Sequence, residues 1–213
     1  MTFNKTTFNK INNLITDKYP KAKLMIVSKN RPTSSIREAL NEGALLFGEN
    51  KVQEADAKFE ELREEFLNVK LHLIGPLQTN KVKQALKIFD VIQSVYREKL
   101  VKELSKKLTA ATRTKNFYIQ VNIGKEEQKS GVDPDTTKAF YDYAIDQGLN
   151  ITGLMCLPPN NEDADFFFKK MIELRNKINP NLLLSMGMSG DYLSALENKT
   201  DLIRIGTKFF SDE

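Results

Sequence analysis

Leu24-Met25-Ile26-Val27-Ser28-Lys29-Asn30-Arg31-Pro32 is an apolar run that ends abruptly in a lysine and then a proline. Four consecutive apolar residues bounded by turn formers predict a buried strand over 24–28, too short to be a helix of its own. Lys29 then sits where the strand leaves the core, whereas the other lysines fall mainly on polar helix faces. In a partly apolar mouth an ammonium loses hydration, so the free amine is favoured and can attack a carbonyl carbon. Schiff-base chemistry is one reading of this position. A charge that caps the strand and points to solvent is the other.

Outward from this stretch, one unit of short apolar run, turn and helix recurs. Phe3, Phe8, Ile11, Leu14 and Ile15 predict a helix before it, over 2–18. After Pro32, Thr33-Ser34-Ser35 offers an N-cap for a helix through Leu40 that stops at Gly43. Further strands are expected at 44–47, 70–74, 91–95, 117–123, 151–157, 182–184 and 202–205, with helices between them. No long linker or break in composition interrupts the series. The pattern predicts a single α/β domain over 1–213, a (β/α)8 TIM-type barrel with residues 1–20 as an extra N-terminal helix packed on it. An open doubly wound sheet is the competing architecture, but no glycine-rich dinucleotide fingerprint follows the first strand.

Composition narrows the function. Of the 213 residues 28% are charged, mixed in sign, and the net charge of +4 is spread thinly, which argues against a nucleic-acid partner. Cys156 is the only cysteine and His72 the only histidine, so an internal disulfide and a Cys/His zinc site are both excluded. A reducing cytoplasm is the expected compartment. No run suggests a membrane span or a signal peptide.

In a barrel of this type the chemistry collects at the carboxyl ends of the strands, and the last two loops often hold phosphate. The seventh strand ends in Ser185-Met186-Gly187-Met188-Ser189 and the eighth in Arg204-Ile205-Gly206-Thr207. Small residues there let backbone N–H groups approach an anion, with Ser185 and Thr207 as side-chain donors. As turn formers and helix caps, the same residues would be unremarkable in either loop alone. Arg204 alternates with Ile203 and Ile205, which points it into the barrel mouth, where it needs either a carboxylate or a bound acceptor.

Val27-Ser28-Lys29, Phe47-Gly48-Glu49-Asn50 with Val52-Gln53-Glu54, His72-Leu73-Ile74-Gly75-Pro76-Leu77-Gln78 with Asn80-Lys81, Lys129-Ser130-Gly131, the Ser185 loop and the Arg204 loop together resemble the pyridoxal phosphate homeostasis protein family. These are single-domain relatives of the alanine racemase barrel, and the resemblance covers about residues 24–210. It implies a type III pyridoxal phosphate fold, with the cofactor as an aldimine on Lys29 and its phosphate near Ser185, Gly206 and Thr207. Arg204 would lie at the pyridine nitrogen and Asn50 near the cofactor. The implied role is intracellular binding and supply of pyridoxal phosphate, with apo-enzymes that use it as acceptors and a monomer or weak dimer as the working form. Asn30-Arg31, Lys51 and Phe209-Phe210-Ser211 depart from the family pattern without touching Lys29 or Arg204.

A permanently charged arginine at the ring nitrogen weakens the electron sink that carbanion chemistry needs, and no second acid–base group is evident in the sequence. A carrier or buffer is therefore expected in preference to a weak amino-acid racemase. A Schiff-base aldolase acting on sugar phosphates is a further alternative. His72 is expected as a satisfied core group, Cys156 as a small buried hydrophobe and Lys129 as an exposed loop lysine. Phe166-Phe167-Phe168 is expected as a packing face, and Glu60-Glu61 with Arg63-Glu64-Glu65 as a solvated one.

Overall fold

The computed structural model describes residues 2–160 and 162–210, so Ser211, one of the departures above, lies outside the described residues. The strands β1 (Lys23–Val27), β2 (Leu46–Glu49), β3 (Lys70–Leu73), β4 (Val91–Val95), β5 (Asn116–Val121), β6 (Ile151–Cys156), β7 (Leu183–Ser185) and β8 (Leu202–Ile205) close into one barrel in chain order. All neighbours are parallel, and β1 pairs with both β2 and β8. Helices α2 (Thr33–Asn41), α3 (Val52–Glu65), α4 (Val82–Ile88), α5 (Glu98–Lys107), α6 (Thr137–Asp146), α7 (Ala164–Ile178) and α8 (Tyr192–Glu197) follow β1 to β7 in turn. The barrel read from the sequence is the one found. No helix among the described residues is long and apolar enough to cross a membrane.

Among the described residues only a 3-10 turn, Thr207–Phe209, follows β8, and α1 (Lys5–Lys18) packs on β1 and on that turn. It stands where an eighth outer helix would. Phe8, Ile11 and Ile15 bury one stripe of α1, and Asn4 caps it by accepting from the Thr7 N–H at 2.9 Å. Phe3, Phe8, Phe209 and Phe210 form an aromatic cluster with ring centroids 5.4 to 5.9 Å apart. The Asn4 N–H donates to the Phe209 carbonyl at 2.8 Å, tying the two ends of this seam together.

Two apolar cores result from strand alternation. The larger lies between strands and helices and includes Ile203 and Ile205, which leaves Arg204 facing inward as its period-two position requires. A smaller group inside the barrel joins Val91, Tyr118 and Met155, with Leu157 against it.

Local differences from the sequence reading have identifiable causes. The expected hydroxyl cap of α2 is absent: Pro32 is the N-cap, extended at φ −68° and ψ 153°, and no side chain caps the turn. β2 runs through Gly48 and Glu49 in register with His72 and Leu73, because the ladder and the partners of Glu49 hold residues that resemble a turn. Arg63 is not on a solvated face; it reaches inward to the Ile88 carbonyl and to Asp90 Oδ2, the latter at 2.8 Å. Phe167 and Phe168 pack as expected, but Phe166 stands exposed with the Lys170 ammonium 4.2 Å from its ring centroid.

Candidate functional site

A cavity of about 880 Å³ opens at the carboxyl ends of the strands, lined by Lys29, Asn50, Arg204, Gly206 and Thr207 among others. Lys29 lies two residues beyond the end of β1 and is exposed at this mouth. The turn that presents it is closed by the Arg31 N–H donating to the Ser28 carbonyl at 3.1 Å, with Asn30 in the left-handed region at φ +57°. Asn50 is set by close packing of backbones, since a Cβ on Gly75 would lie 2.4 Å from the Asn50 carbonyl oxygen.

Arg204 is 3% exposed. Its Nη1 donates to Ser185 Oγ at 2.7 Å and its Nη2 to the Cys156 carbonyl at 2.8 Å, both neutral acceptors. Among the described residues no carboxylate lies within ion-pair distance of it, so the carboxylate partner considered from the sequence is not found. Burial lowers its pKa below the usual arginine value, with Cys156 and Asp191 acting in the opposite direction. The loop beyond β7 is shaped for the arginine. Gly187 is left-handed at φ +94°, where a Cβ would meet Ala195 Cβ at 2.5 Å, and its carbonyl accepts from the Arg204 N–H at 2.9 Å.

Thr207 Oγ1 donates to Ser189 Oγ at 3.1 Å, so the loops after β7 and β8 bring two hydroxyls together on the cavity wall. Ser185, expected beside a phosphate, is fully buried, does not line the cavity, and instead holds the Arg204 guanidinium. Sequence reading missed Ser189 because register, which decides which hydroxyl reaches the mouth, is not visible in a run of Ser, Met and Gly.

Lys29, Arg31, Lys129 and Arg204 all line the cavity, and among the described residues no carboxylate does. Lys129 is not the exposed loop lysine that was expected. It is half-buried, donating from Nζ to the Pro158 carbonyl at 2.9 Å and pairing with Glu126 at 2.5 Å. Such a field selects an anion. His72 and Cys156 are the core groups expected. His72 Nδ1 pairs with the Gln93 amide at 2.8 Å and burial pushes the imidazole down to about 4, so it is neutral. Burial pushes the Cys156 thiol up to about 12.

A charged cluster under the Lys29 turn was also missed. Glu49 is fully buried; it accepts from Ser28 Oγ at 2.8 Å and from Lys58 Nζ at 3.1 Å. The signal for Lys58 was its phase, three residues after Ala55 and four before Leu62, within the buried stripe of α3.

The sequence profile of the alanine racemase N-terminal domain matches residues 7–213. A pyridoxal phosphate homeostasis protein of Aquifex aeolicus is 38% identical over 200 residues, covering 90% of this chain and 87% of that protein. Another, of Schizosaccharomyces pombe, is 33% identical over 198 residues, covering 88% of this chain and 82% of that one. PipY of Synechococcus elongatus, solved with pyridoxal phosphate bound, superposes with a TM-score of 0.83 at 32% identity and covers 96% of this chain and 100% of its own. Alanine racemase of Bacillus anthracis shares the fold at a TM-score of 0.71 and 14% identity, over 97% of this chain and 56% of that enzyme. The chain belongs to the pyridoxal phosphate homeostasis protein family, whose barrel is that of the alanine racemase N-terminal domain.

Proposed function

We propose that the cavity binds pyridoxal phosphate and that the chain serves homeostasis of this cofactor in the cytoplasm, holding it through Lys29 and releasing it to acceptor apo-enzymes. One observation carries this reading: among the described residues four cations and no carboxylate line the mouth, one of them a buried arginine held only by neutral acceptors. The cofactor supplies an aldehyde open to attack by an amine, a phosphate dianion and an aromatic nitrogen.

The residues present match those three groups. Lys29 is the amine at the mouth; Ser189, Thr207 and the backbone of Gly206 offer donors to the phosphate; Asn50 lies at the rim. Ser185 and the Cys156 carbonyl fix the Arg204 guanidinium, which lines the cavity and has further donors that suit an unprotonated ring nitrogen. A ring nitrogen held as an acceptor leaves the ring a weak electron sink. None of the six tyrosines lines the cavity, which supports a carrier over a racemase.

The test is the visible spectrum of the purified protein with pyridoxal phosphate, followed by borohydride reduction and peptide mapping. The adduct is expected on Lys29 and should be lost in Lys29→Ala; the same chromophore on that variant, or an adduct spread over surface lysines, would sink the assignment. Release of α-deuterium from an amino acid far faster than with the free cofactor would instead favour the racemase.

A further inference from the structure

Lys58 lies in α3, outside the cavity, yet it holds the residue before Lys29. Its Nζ donates to the Ser28 carbonyl at 2.8 Å, to Glu49 Oε1 at 3.1 Å and to Glu54 Oε1 at 2.5 Å. An ammonium has three donors, and here each has a partner. Glu54 Oε1 also accepts from the Asn30 N–H, so both neighbours of Lys29 in the chain are bonded to this cluster. The side chain of Lys58 is 11% exposed, that of Glu49 0% and that of Glu54 19%. Glu49 Oε2 has no hydrogen-bond partner, so the buried acid relies on Lys58 and Ser28 alone.

This cluster grips the backbone on each side of Lys29, at the Ser28 carbonyl and at the N–H of the left-handed Asn30, while the Lys29 side chain lines the mouth. Two carboxylates also lie beneath the turn against a single ammonium.

We infer that Lys58 is a positioning residue for Lys29: its ammonium clamps the 28–31 turn through the Ser28 carbonyl and holds Glu49 and Glu54 beneath it, so that the Lys29 side chain is presented to the cavity. This inference rests on the reading of Lys29 as the amine that takes the cofactor.

The experiment compares the native chain with Lys58→Met, Lys58→Arg and the double variant Glu49→Gln with Lys58→Met, after circular dichroism has shown which are folded. The rate of borohydride-trapped adduct on Lys29 is followed at a fixed pH with added pyridoxal phosphate. In Lys58→Met the rate should fall about tenfold, because the Ser28 carbonyl loses its donor. Lys58→Arg should recover part of the rate. The double variant relieves the unpaired buried acid but does not restore the bond to Ser28, so it should stay slow. A native rate in either Met-containing variant that folds would overturn the inference. No Lys29 adduct in the native chain would instead overturn the function proposed above, so the two failures are distinguishable.

Discussion

Lowering the pH from 7 to 5 should destabilise this fold by about 2 kcal/mol through His72 alone. The imidazole is buried inside the barrel against Gln93, and burial pushes it down to about 4 from an ordinary 6.5. In the folded chain it therefore stays neutral at pH values where the unfolded chain already binds a proton. The unfolded state is favoured as pH falls below 6.5, and the contribution is fully present only above that value. Its whole size is about 3 kcal/mol, reached near pH 4, since each unit of displacement corresponds to about 1.4 kcal/mol. Most of the loss precedes the titration of ordinary carboxylates, so it can be isolated. Urea midpoints of the native chain and of His72→Gln, which keeps an amide partner for Gln93, should be measured at pH 7, 6 and 5. The native chain is expected to lose stability more steeply, the two curves separating by about 2 kcal/mol over that range. Parallel curves would refute the reasoning, because they would mean that the folded barrel admits a charged imidazole.

Two further predictions address the arginine and the ring of helices. Arg204→Met should weaken pyridoxal phosphate binding about tenfold or more in a spectral titration, because charge-assisted bonds contribute roughly 1.5–3 kcal/mol, while leaving the thermal midpoint little changed. Unaltered affinity would remove Arg204 from the site. Phe8→Ala should cost about 3 kcal/mol in chemical unfolding, as expected for an aromatic side chain 4% exposed. A loss below about 1 kcal/mol would mark α1 as an appendage in place of a member of the barrel wall.

The barrel was legible because its signals are local and repeated: most strands are short, largely apolar runs closed by Gly, Pro or a charged residue. Arg204 could be aimed at the mouth because period two on β8 leaves a charge between Ile203 and Ile205 no other direction. Lys29 was visible for a similar reason. What was not legible depends on partners distant in sequence. Ser185 and Ser189 are chemically alike, and only the approach of Arg204 to the first and Thr207 to the second separates them. Lys129 looked like any loop lysine until the Pro158 carbonyl and Glu126 were beside it. Lys58 carried a faint signal in its helical phase, but its role depends on Ser28, which is 30 residues away. The N-terminal helix was expected from its apolar spacing, but its standing as the eighth outer helix depends on Phe209 and Phe210 at the far end of the chain.

Closure between β1 and β8 has a kinetic consequence. Met25 is in register with Arg204 and Ile26 with Ile205, a pairing across nearly the greatest sequence separation available. Contacts of this kind form late, after the loop-closure entropy of the intervening chain has been overcome. Lys29 stands on one bank of that seam and Arg204, Gly206 and Thr207 on the other. A ligand gripping both banks acts as a cross-brace on the last joint to close and the first positioned to open. Barrel integrity and cavity occupancy are then linked, and the lifetime of the folded chain should lengthen with the supply of the small molecule it binds.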